Sequence, residues 1–277
     1  MRIATWNVNS IRTRKERVIE FLHSADIDVV AMQETKCRDD QFPFDDFDQA
    51  GYEVAHHGLN QWNGVAIASR IPLSDIHVGF ESMPGFTKTP GEEPALEARA
   101  IAATVDGIRL CSVYVPNGRA VDDPHFSYKL AWLKALSEHF SSYASSAGSL
   151  PYAILGDFNI APVDSDVGDP DFLQPGTTHT SPQEREALQS FLSVAAVEDV
   201  VRPLVPEGYT FWDYKQGKFA KDHGLRIDFI FGSPGFSELV SGASIERGTR
   251  IGEGPSDHVP VVVELVSDDD FDRPMVF

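Results

Sequence analysis

Apolar and polar positions along the chain follow two periods, one typical of strands and one typical of helices. Five apolar runs have the composition of buried strands, and they comprise residues 2–9, 28–34, 152–155, 225–231 and 259–266. Residues 51–81, divided by glycines and a proline, predict two or three antiparallel strands. Residues 98–105 and 108–115 predict a hairpin that turns at Asp106 and Gly107. The long stretch from 83 to 97 predicts a loop.

Helical spacing of apolar residues predicts three helices. The first spans about residues 13–24. The second carries an apolar stripe of Phe126, Leu130, Leu133, Leu136, Phe140 and Tyr143. The third begins with Ser181 as N-cap, Pro182 at the first helical position and Glu184 at the third. Strands joined both by hairpins and by helices favour two packed sheets with helices outside, an α/β fold, over a doubly wound parallel sheet.

Composition adds limits to this picture. The 277 residues, 42% hydrophobic and 23% charged, suit one large globular domain, which we place at 1–266, followed by an acidic tail at 267–277. No apolar run is long enough to cross a membrane and the N-terminus enters a strand directly, so we expect no membrane partner and a cytoplasmic protein. We also expect a monomer. Cys37 and Cys111 are too few for a disulfide framework, which predicts reduced, structural thiols.

The formal net charge of −19 argues at first sight against a nucleic-acid partner, because phosphate binding needs positive surface. The distribution of charge weakens this objection. Residues 1–17 hold five basic side chains against one acid, and residues 211–226 hold four against two. These segments predict a local phosphate-binding face, although solvated charges without a ligand would give the same pattern.

Polar side chains end many of the predicted core segments. The set consists of Asn7, Glu34, Tyr114, Asp157, Asn159, Asp228, Asp257 and His258. Asp157 and Asn159, two apart on an extended chain, would point to one face, where a carboxylate and a carboxamide suit activation of water beside a metal ion. An Asx-rich turn closing a core strand is the alternative for this pair. Oxygen ligands without cysteine favour Mg²⁺ or Mn²⁺ over zinc.

Seven short motifs connect these side chains to a known family. They are residues 6–9 (Trp-Asn-Val-Asn), 33–36 (Gln-Glu-Thr-Lys), 114–118 (Tyr-Val-Pro-Asn-Gly), 156–161 (Gly-Asp-Phe-Asn-Ile-Ala), 180–185 (Thr-Ser-Pro-Gln-Glu-Arg), 224–228 (Gly-Leu-Arg-Ile-Asp) and 256–260 (Ser-Asp-His-Val-Pro). In this order the chain resembles the bacterial type of the exonuclease III family of apurinic/apyrimidinic endonucleases, within the endonuclease/exonuclease/phosphatase superfamily. The resemblance implies a four-layer α/β sandwich of two packed mixed sheets flanked by helices.

The same resemblance implies an activity. The substrate would be double-stranded DNA, cleaved 5′ of abasic sites, with 3′-to-5′ exonuclease and 3′-end trimming activity and Mg²⁺ or Mn²⁺ as cofactor. Glu34 would be the main metal ligand. The other candidates for metal binding are Asn7, Asn9, Asp157, Asn159, Asp257 and His258.

The resemblance also assigns roles in catalysis. Asp157 would activate the attacking water, and Asn159 would hold that water or the phosphate. Tyr114 would contact the phosphate, while His258, held by Asp228, would neutralise the oxyanion. A carboxylate partner favours a protonated histidine near neutral pH, which supports the stabilising role. The proton acceptor stays open among Asp157, His258 and Tyr114, because their titrations are coupled.

The resemblance also implies that a further group of residues recognises the abasic site. An apolar pocket of Phe211, Leu225 and Ile227 would accept an extruded abasic sugar, since a nucleotide without a base costs least to unstack. The candidates for backbone or groove contact are Asn117, Arg119, Lys215, Gln216 and Lys218. The chain departs from the family pattern at Ser10, where glycine is frequent, and in the loop 84–94, which matches nothing assignable.

Two other functions fit parts of the pattern. A sister phosphoesterase of the same fold, acting on inositol phosphates or sphingomyelin, would share the acidic and amide residues, and a non-catalytic DNA-binding descendant would keep only the fold. The Met-x-Phe ending of residues 272–277 loosely resembles peptides that dock on the replication sliding clamp, which would give a weak contact. The alternative is that this end folds back onto the domain.

Overall fold

Two six-stranded mixed sheets form the centre of the computed structural model, which describes residues 1–89, 91–146 and 148–266. The first sheet has the spatial order β11 (Val240–Ile245), β12 (Val261–Leu265), β1 (Arg2–Asn7), β2 (Val29–Gln33), β4 (Val65–Ser69) and β3 (Glu53–His57). The second has the order β5 (Ser74–Val78), β6 (Ala100–Val105), β7 (Ile108–Tyr114), β8 (Tyr152–Asp157), β10 (Asp228–Gly232) and β9 (Glu198–Asp199). The predicted acidic tail and its clamp contact lie outside the described residues.

Helices cover the outer faces of both sheets. They are α1 (Ile11–Ser24), α2 (Phe44–Gln49), α3 (Pro124–Ala144) and α4 (Pro182–Val194), whereas the short helix α5 (Pro234–Ser237) contributes Phe236 to the cluster between the sheets. One apolar cluster fills the space between the sheets, a second lies between the first sheet and α1 with α2, and a third lies between the second sheet and α3 with α4. The predicted four-layer α/β sandwich is therefore confirmed.

Each sheet contains one central parallel pair, and these pairs position the strand ends. Strands β1 and β2 run parallel through the crossover helix α1, and β7 and β8 run parallel through α3. Parallel strands end at the same edge, so Asn7 aligns with Gln33 and Tyr114 aligns with Asp157. Gly156 makes this approach possible, because a Cβ there would lie 1.9 Å from the carbonyl oxygen of Val113.

Local sequence signals are confirmed at several places. The hairpin turns at Asp106 and Gly107, which have φ values of 47° and 74°. Ser181 accepts from the amide of Glu184 at 3.3 Å, and the Glu184 carboxylate accepts from the amide of Ser181 at 3.1 Å. Cys37 is buried and free, as predicted. Cys111 is also buried and free.

Other expectations need correction. The strand predicted at 225–231 begins only at Asp228, because residues 225 and 211 pair as an isolated bridge instead of entering the sheet. Asn159 does not continue an extended chain, since its φ is 53°. Four short elements were not predicted, because each has too few apolar residues at helical or strand spacing. They are α2, β9, α5 and β11. Among the residues that the structure describes, no helix is both long and apolar enough to span a membrane.

Candidate active site

Asn7 joins carboxylates from the two sheets. Its side-chain amide donates to Glu34 Oε1 at 2.9 Å and to Asp157 Oδ2 at 2.9 Å. Glu34, Asp157 and His258 each place one potential ligand atom within 4.8 Å of the others. The three residues follow β2, end β8 and precede β12 respectively, so the packing of the two sheets assembles the cluster.

The chain turns sharply at the residues that follow the strands. Glu34, Asn159 and Asn9 have φ values of 53°, 53° and 44°, in the left-handed region that few residues other than glycine adopt. Ser10 has a φ of 91°, which explains why glycine suits this position. Strained backbone of this kind concentrates at functional sites, where the surrounding structure holds it in place.

His258 is held between two carboxylates. Its Nδ1 donates to Asp228 Oδ2 at 2.9 Å, and its Nε2 lies 3.8 Å from Asp157 Oδ2. Thr210 donates to the same Asp228 oxygen at 2.6 Å. Burial alone would lower the pKa of His258, but Asp228 and Asp157 raise it to about 10. The imidazole is therefore a cation at neutral pH with its Nε2 directed at Asp157.

The two carboxylates joined by Asn7 have different protonation behaviour. Burial raises the pKa of Asp157 to about 7, and His258 partly opposes this rise. Burial would also raise the pKa of Glu34, but Lys36, with its ammonium 2.6 Å from Glu34 Oε2, and Asn7 hold the pKa below its usual range. Glu34 is thus ionised at neutral pH, whereas Asp157 titrates near it.

Asn9 and Asp257 form a second group beside Glu34. The side-chain amide of Asn9 donates to Asp257 Oδ1 at 2.8 Å, and the side-chain oxygen Oδ1 of Asn9 accepts from the Lys36 ammonium. Lys36 therefore links this group to Glu34. Sequence reasoning did not assign Lys36 to the site, although its position two residues after Glu34 was the available signal.

Tyr114 lies at the end of β7, and Arg99 packs against its ring. The Arg99 guanidinium lies 4.8 Å from the centroid of the Tyr114 ring and donates to the backbone carbonyl oxygen of Tyr114 at 3.1 Å. Burial and the nearby Glu34 carboxylate raise the pKa of Tyr114 well above its usual range. The phenol therefore stays protonated at neutral pH. Arg99, which is buried and paired with Glu97, was missed by sequence reasoning.

Asn117 and Asn159 bond to each other and to the main chain. The side-chain amide of Asn117 donates to Asn159 Oδ1 at 3.1 Å, and the side-chain amide of Asn159 donates to the carbonyl of Val115 at 3.0 Å. The backbone amide of Asn159 donates to Asp157 Oδ1 at 2.9 Å. Asn159 therefore orients Asp157 while both ends of its own side chain are bonded within the protein. Arg119 is exposed beside this pair.

A buried ion pair lies behind these amides. Lys129 and Glu184 have fully buried side chains, and the Lys129 ammonium bonds to Glu184 and donates to the carbonyls of Asn117 and Asn159 at 3.1 and 2.7 Å. Sequence reasoning missed the pair and treated Glu184 as a cap alone. Lys129 lies on the apolar stripe of α3, where Leu130 is only half-buried, and a lysine in that register was the available signal.

Removal of Lys129 is expected to destabilise the fold strongly. Lys129→Met would leave the Glu184 carboxylate buried without a counter-charge, which lowers the free energy of unfolding by about 3–5 kcal/mol. Urea unfolding at constant pH measures this loss. Lys134→Met, on the exposed face of the same helix, is the control and should change stability by less than about 0.5 kcal/mol. The double variant Lys129→Met, Glu184→Gln should recover part of the loss, and equal losses for Lys129→Met and Lys134→Met would contradict the role of the pair.

Comparison with known proteins identifies the family. The model of the endonuclease/exonuclease/phosphatase family matches residues 4–258. The chain belongs to this family.

Relatives within the family are nucleases, and they match the chain over nearly its whole length. Exodeoxyribonuclease III of Haemophilus influenzae is 28% identical, covering 96% of this chain and 100% of its own. The 3′-5′ exonuclease NExo of Neisseria meningitidis superimposes with a TM-score of 0.86 at 37% identity, covering 96% of this chain and 99% of its own. An AP endonuclease from Archaeoglobus fulgidus has a TM-score of 0.85 at 34% identity, covering 96% and 99%. The chain is a nuclease hydrolase.

Metal dependence is typical of the family, and the donor set here fits a hard cation. The carboxylates of Glu34 and Asp157 both accept from the side-chain amide of Asn7, and an oxygen of each lies within 4.8 Å of the other. Carboxylate oxygens at this spacing are the ligands that Mg²⁺ and Mn²⁺ prefer in proteins. His258 is the weaker candidate among the three, because a protonated imidazole has no free lone pair for a metal.

The predicted lesion pocket is closed in this structure. Leu225 and Ile227 are only 0% and 2% exposed and pack with Ala161 in a small apolar cluster. Phe211 is half-buried against this cluster, with its ring centroid 4.9 Å from that of His258. The expectation that all three residues line an open pocket is therefore wrong for this structure, because Leu225 and Ile227 fill it themselves.

Only part of the loop that was predicted to enter a DNA groove is exposed to solvent. Lys215 and Gln216 are exposed, and Gln216 has a φ of 58° at the tip of the loop. Lys218 is buried, with its ammonium 2.8 Å from Asp169 Oδ1 and 2.7 Å from Asp171 Oδ2. The expectation that Lys218 contacts a DNA groove is wrong for this structure, since its charge is neutralised inside the protein.

Several arginines of the two basic segments also have internal partners. Arg17 donates to the carbonyls of Thr249 and Ile251 at 2.7 Å each. Arg226 is 1% exposed and donates to the carbonyl of Val205 at 2.8 Å. The positive face predicted from the sequence is therefore smaller than the count of basic residues suggested.

Proposed function

We propose that the chain hydrolyses phosphodiester bonds of double-stranded DNA, 5′ of abasic sites and at 3′ ends, with Mg²⁺ or Mn²⁺ as cofactor. The observation that carries this proposal is that Asn7 joins Glu34 and Asp157, while His258, paired with Asp228, has its Nε2 3.8 Å from Asp157 Oδ2. Such an arrangement offers a base, a cation site and an electrostatic stabiliser to one phosphate. The activities in the names of the relatives support DNA as the substrate.

Asp157 is the proposed general base. A carboxylate whose pKa lies near 7 can take a proton from water at neutral pH more readily than an ordinary aspartate. Asn7 and the backbone amide of Asn159 each donate to this carboxylate and fix its orientation. Asp157 would thus hold the attacking water in line with the bond to be broken.

His258 and Tyr114 are the proposed stabilisers of charge on the phosphate. The imidazolium, oriented by Asp228, directs its Nε2 proton into the cluster, and the neutral phenol of Tyr114 supplies a second donor. Donors that are already positioned cost no reorganisation when negative charge develops on the oxygens. This division leaves proton transfer to Asp157.

Glu34 is the proposed main holder of the cation, with the Asp157 carboxylate beside it. When bound, Mg²⁺ or Mn²⁺ would withdraw negative charge from the phosphate and assist departure of the leaving oxygen. Asn9 and Asp257 are connected to Glu34 through Lys36, and we place them around the cation as supporting groups. Lys36 balances the charge of Glu34 in the absence of an ion.

Phe211 is the proposed contact for the sugar next to the scissile bond. Its ring lies beside His258, and Leu225 with Ile227 supports it from behind. Admission of an abasic sugar at this place would require the small cluster to open, and a sugar without a base needs less space than an intact nucleotide. Asn117, Arg119, Lys215 and Gln216 remain candidates for contact with the DNA backbone.

The test is hydrolysis of a duplex that carries a single abasic analogue. We expect incision on the 5′ side in Mg²⁺ or Mn²⁺ and none in EDTA, and shortening of a recessed 3′ end under the same conditions. Inositol phosphates and sphingomyelin serve as comparison substrates. Turnover of these lipid-related substrates without DNA cleavage would favour the sister phosphoesterase, whereas DNA binding without cleavage would favour a non-catalytic descendant.

A further inference from the structure

An open cleft of about 690 Å³ adjoins the active site on the side of Tyr114. Tyr114, Asn117 and Arg119 form its border with the catalytic residues, and residues from the segments 59–63, 86–88 and 95–98 form its other walls. We call this space the Trp62 cleft after its most exposed aromatic residue.

The walls of the Trp62 cleft are attached directly to the segment that carries Glu34. The amide of Thr35 donates to the carbonyl of Gly64 at 3.2 Å, and the amide of Lys36 donates to the carbonyl of Asn63 at 2.9 Å. The amide of Gly64 in turn donates to the carbonyl of Ala98 at 2.9 Å. The segments that contain Asn63 and Ala98 are therefore positioned by the same backbone that positions Glu34.

The side chains of the cleft combine exposed apolar surface with positive charge. Trp62 is 64% exposed and Leu96 is 58% exposed, and both line the cleft, so they present apolar surface to solvent at one place. Lys88 and Arg119 are exposed cations on the lining, whereas the charge of Arg99 is neutralised by Glu97. An accessible indole in the same cleft as exposed cations suits a nucleotide whose base is unstacked, because the base can stack on the ring while the phosphate contacts the cations.

We propose that the Trp62 cleft binds an unpaired nucleotide adjoining the scissile phosphodiester, with its base stacked on Trp62 and its phosphate near Lys88 and Arg119. This inference rests on the proposed function, because it requires a DNA phosphodiester at the catalytic cluster. A base that is still paired remains inside the duplex and cannot reach the indole. The cleft therefore gives the enzyme a preference for frayed or mismatched ends over fully paired ends.

The kinetic test compares two DNA hairpins that differ only in the pairing of the 3′-terminal nucleotide. Trp62→Ala is expected to lower the ratio of kcat/KM for the mismatched end to kcat/KM for the paired end by about 10-fold, mainly through KM, because stacking on one aromatic ring contributes this much per base. Trp62→Phe keeps a ring and should retain most of the ratio. Ile76→Ala, a change of an exposed apolar residue on the edge strand β5 that does not line the cleft, is the control and should leave the ratio unchanged.

A binding test separates this proposal from the proposed function. A fluorescent adenine analogue at the mismatched 3′ end should be quenched on binding to the Asp157→Asn protein, and the quenching should be lost when Trp62→Ala is added. An unchanged ratio together with unchanged quenching would overturn the role of the cleft. Equal losses on paired and mismatched ends would also overturn it, since Trp62 would then contact the duplex. If the unsubstituted enzyme hydrolyses neither hairpin, the proposed function is contradicted. The quenching measurement still tests whether the base stacks on Trp62 in the cleft.

Discussion

Asp157→Asn is expected to lower kcat by about 10²–10⁴-fold while binding to abasic DNA is retained, because a carboxamide cannot accept the proton of the attacking water. The substitution keeps the size of the side chain and still allows Asn7 to donate to it, so the neighbouring geometry should survive. Single-turnover cleavage of an abasic duplex, with binding measured separately, tests this expectation. The rate of the unsubstituted enzyme should fall as the pH drops through the pKa of Asp157, since a protonated carboxyl group cannot act as a base.

Two comparisons make the result for Asp157 specific. Asp164→Asn, which removes a carboxylate that is 80% exposed and paired with Arg185, should leave the rate unchanged. Asp228→Asn should be less severe than Asp157→Asn, because Asp228 orients His258 and raises its pKa but does not itself take the proton of the water. Near-normal single-turnover rates in Asp157→Asn would show that another group takes the proton.

The architecture was predictable because local signals and long-range packing agree in this chain. The crossover helices α1 and α3 have apolar stripes, and the strands that they connect are continuous apolar runs, which is typical of strands covered on both faces. The short elements α2, β9 and α5 were not predictable, because each contains six residues or fewer and depends on the tertiary packing around it.

The catalytic cluster was predictable to the level of residues, but its connections were not. Asn7, Glu34 and Asp157 were indicated by their positions, because each is a polar side chain at the end of a segment that otherwise has the composition of a buried strand. Nothing in the order of residues shows that one amide of Asn7 contacts both carboxylates, because that contact depends on how the two sheets pack. The ammonium of Lys129 is a similar case, since its partners lie 12 to 55 residues away.

The expected DNA contacts were the weakest part of the sequence reasoning. A basic residue in a polar loop gives the same pattern whether it faces solvent or pairs with acids, and Lys218 pairs with Asp169 and Asp171. An apolar residue near a catalytic motif is likewise compatible with a pocket wall or with core, and Leu225 is core in this structure. Sequence position alone does not distinguish these cases, because burial is decided by the surrounding loops.

Glu34→Gln is expected to lower kcat by about 10²-fold or more and to weaken the binding of Mg²⁺ or Mn²⁺. The structural reason is that Glu34 is the carboxylate of the cluster that stays fully ionised, and a neutral amide would remove a full negative charge from the cation site. Calorimetric titration of the metal alone tests binding without any substrate. Activity measured against metal concentration then shows whether the lost rate returns at saturation.

Thermal unfolding provides an independent measurement for Glu34. A cation that binds only the folded protein stabilises it by an amount that grows with the ratio of ion concentration to Kd, so Mg²⁺ should raise the Tm of the unsubstituted protein. The increase should be much smaller in Glu34→Gln and unchanged in Glu16→Gln, where an exposed carboxylate outside the cluster is replaced. Full activity in EDTA, or an equal rise of Tm in all three proteins, would exclude Glu34 as the holder of the cation. In that case Asp257, which Asn9 and Lys36 connect to Glu34, would be the next carboxylate to substitute.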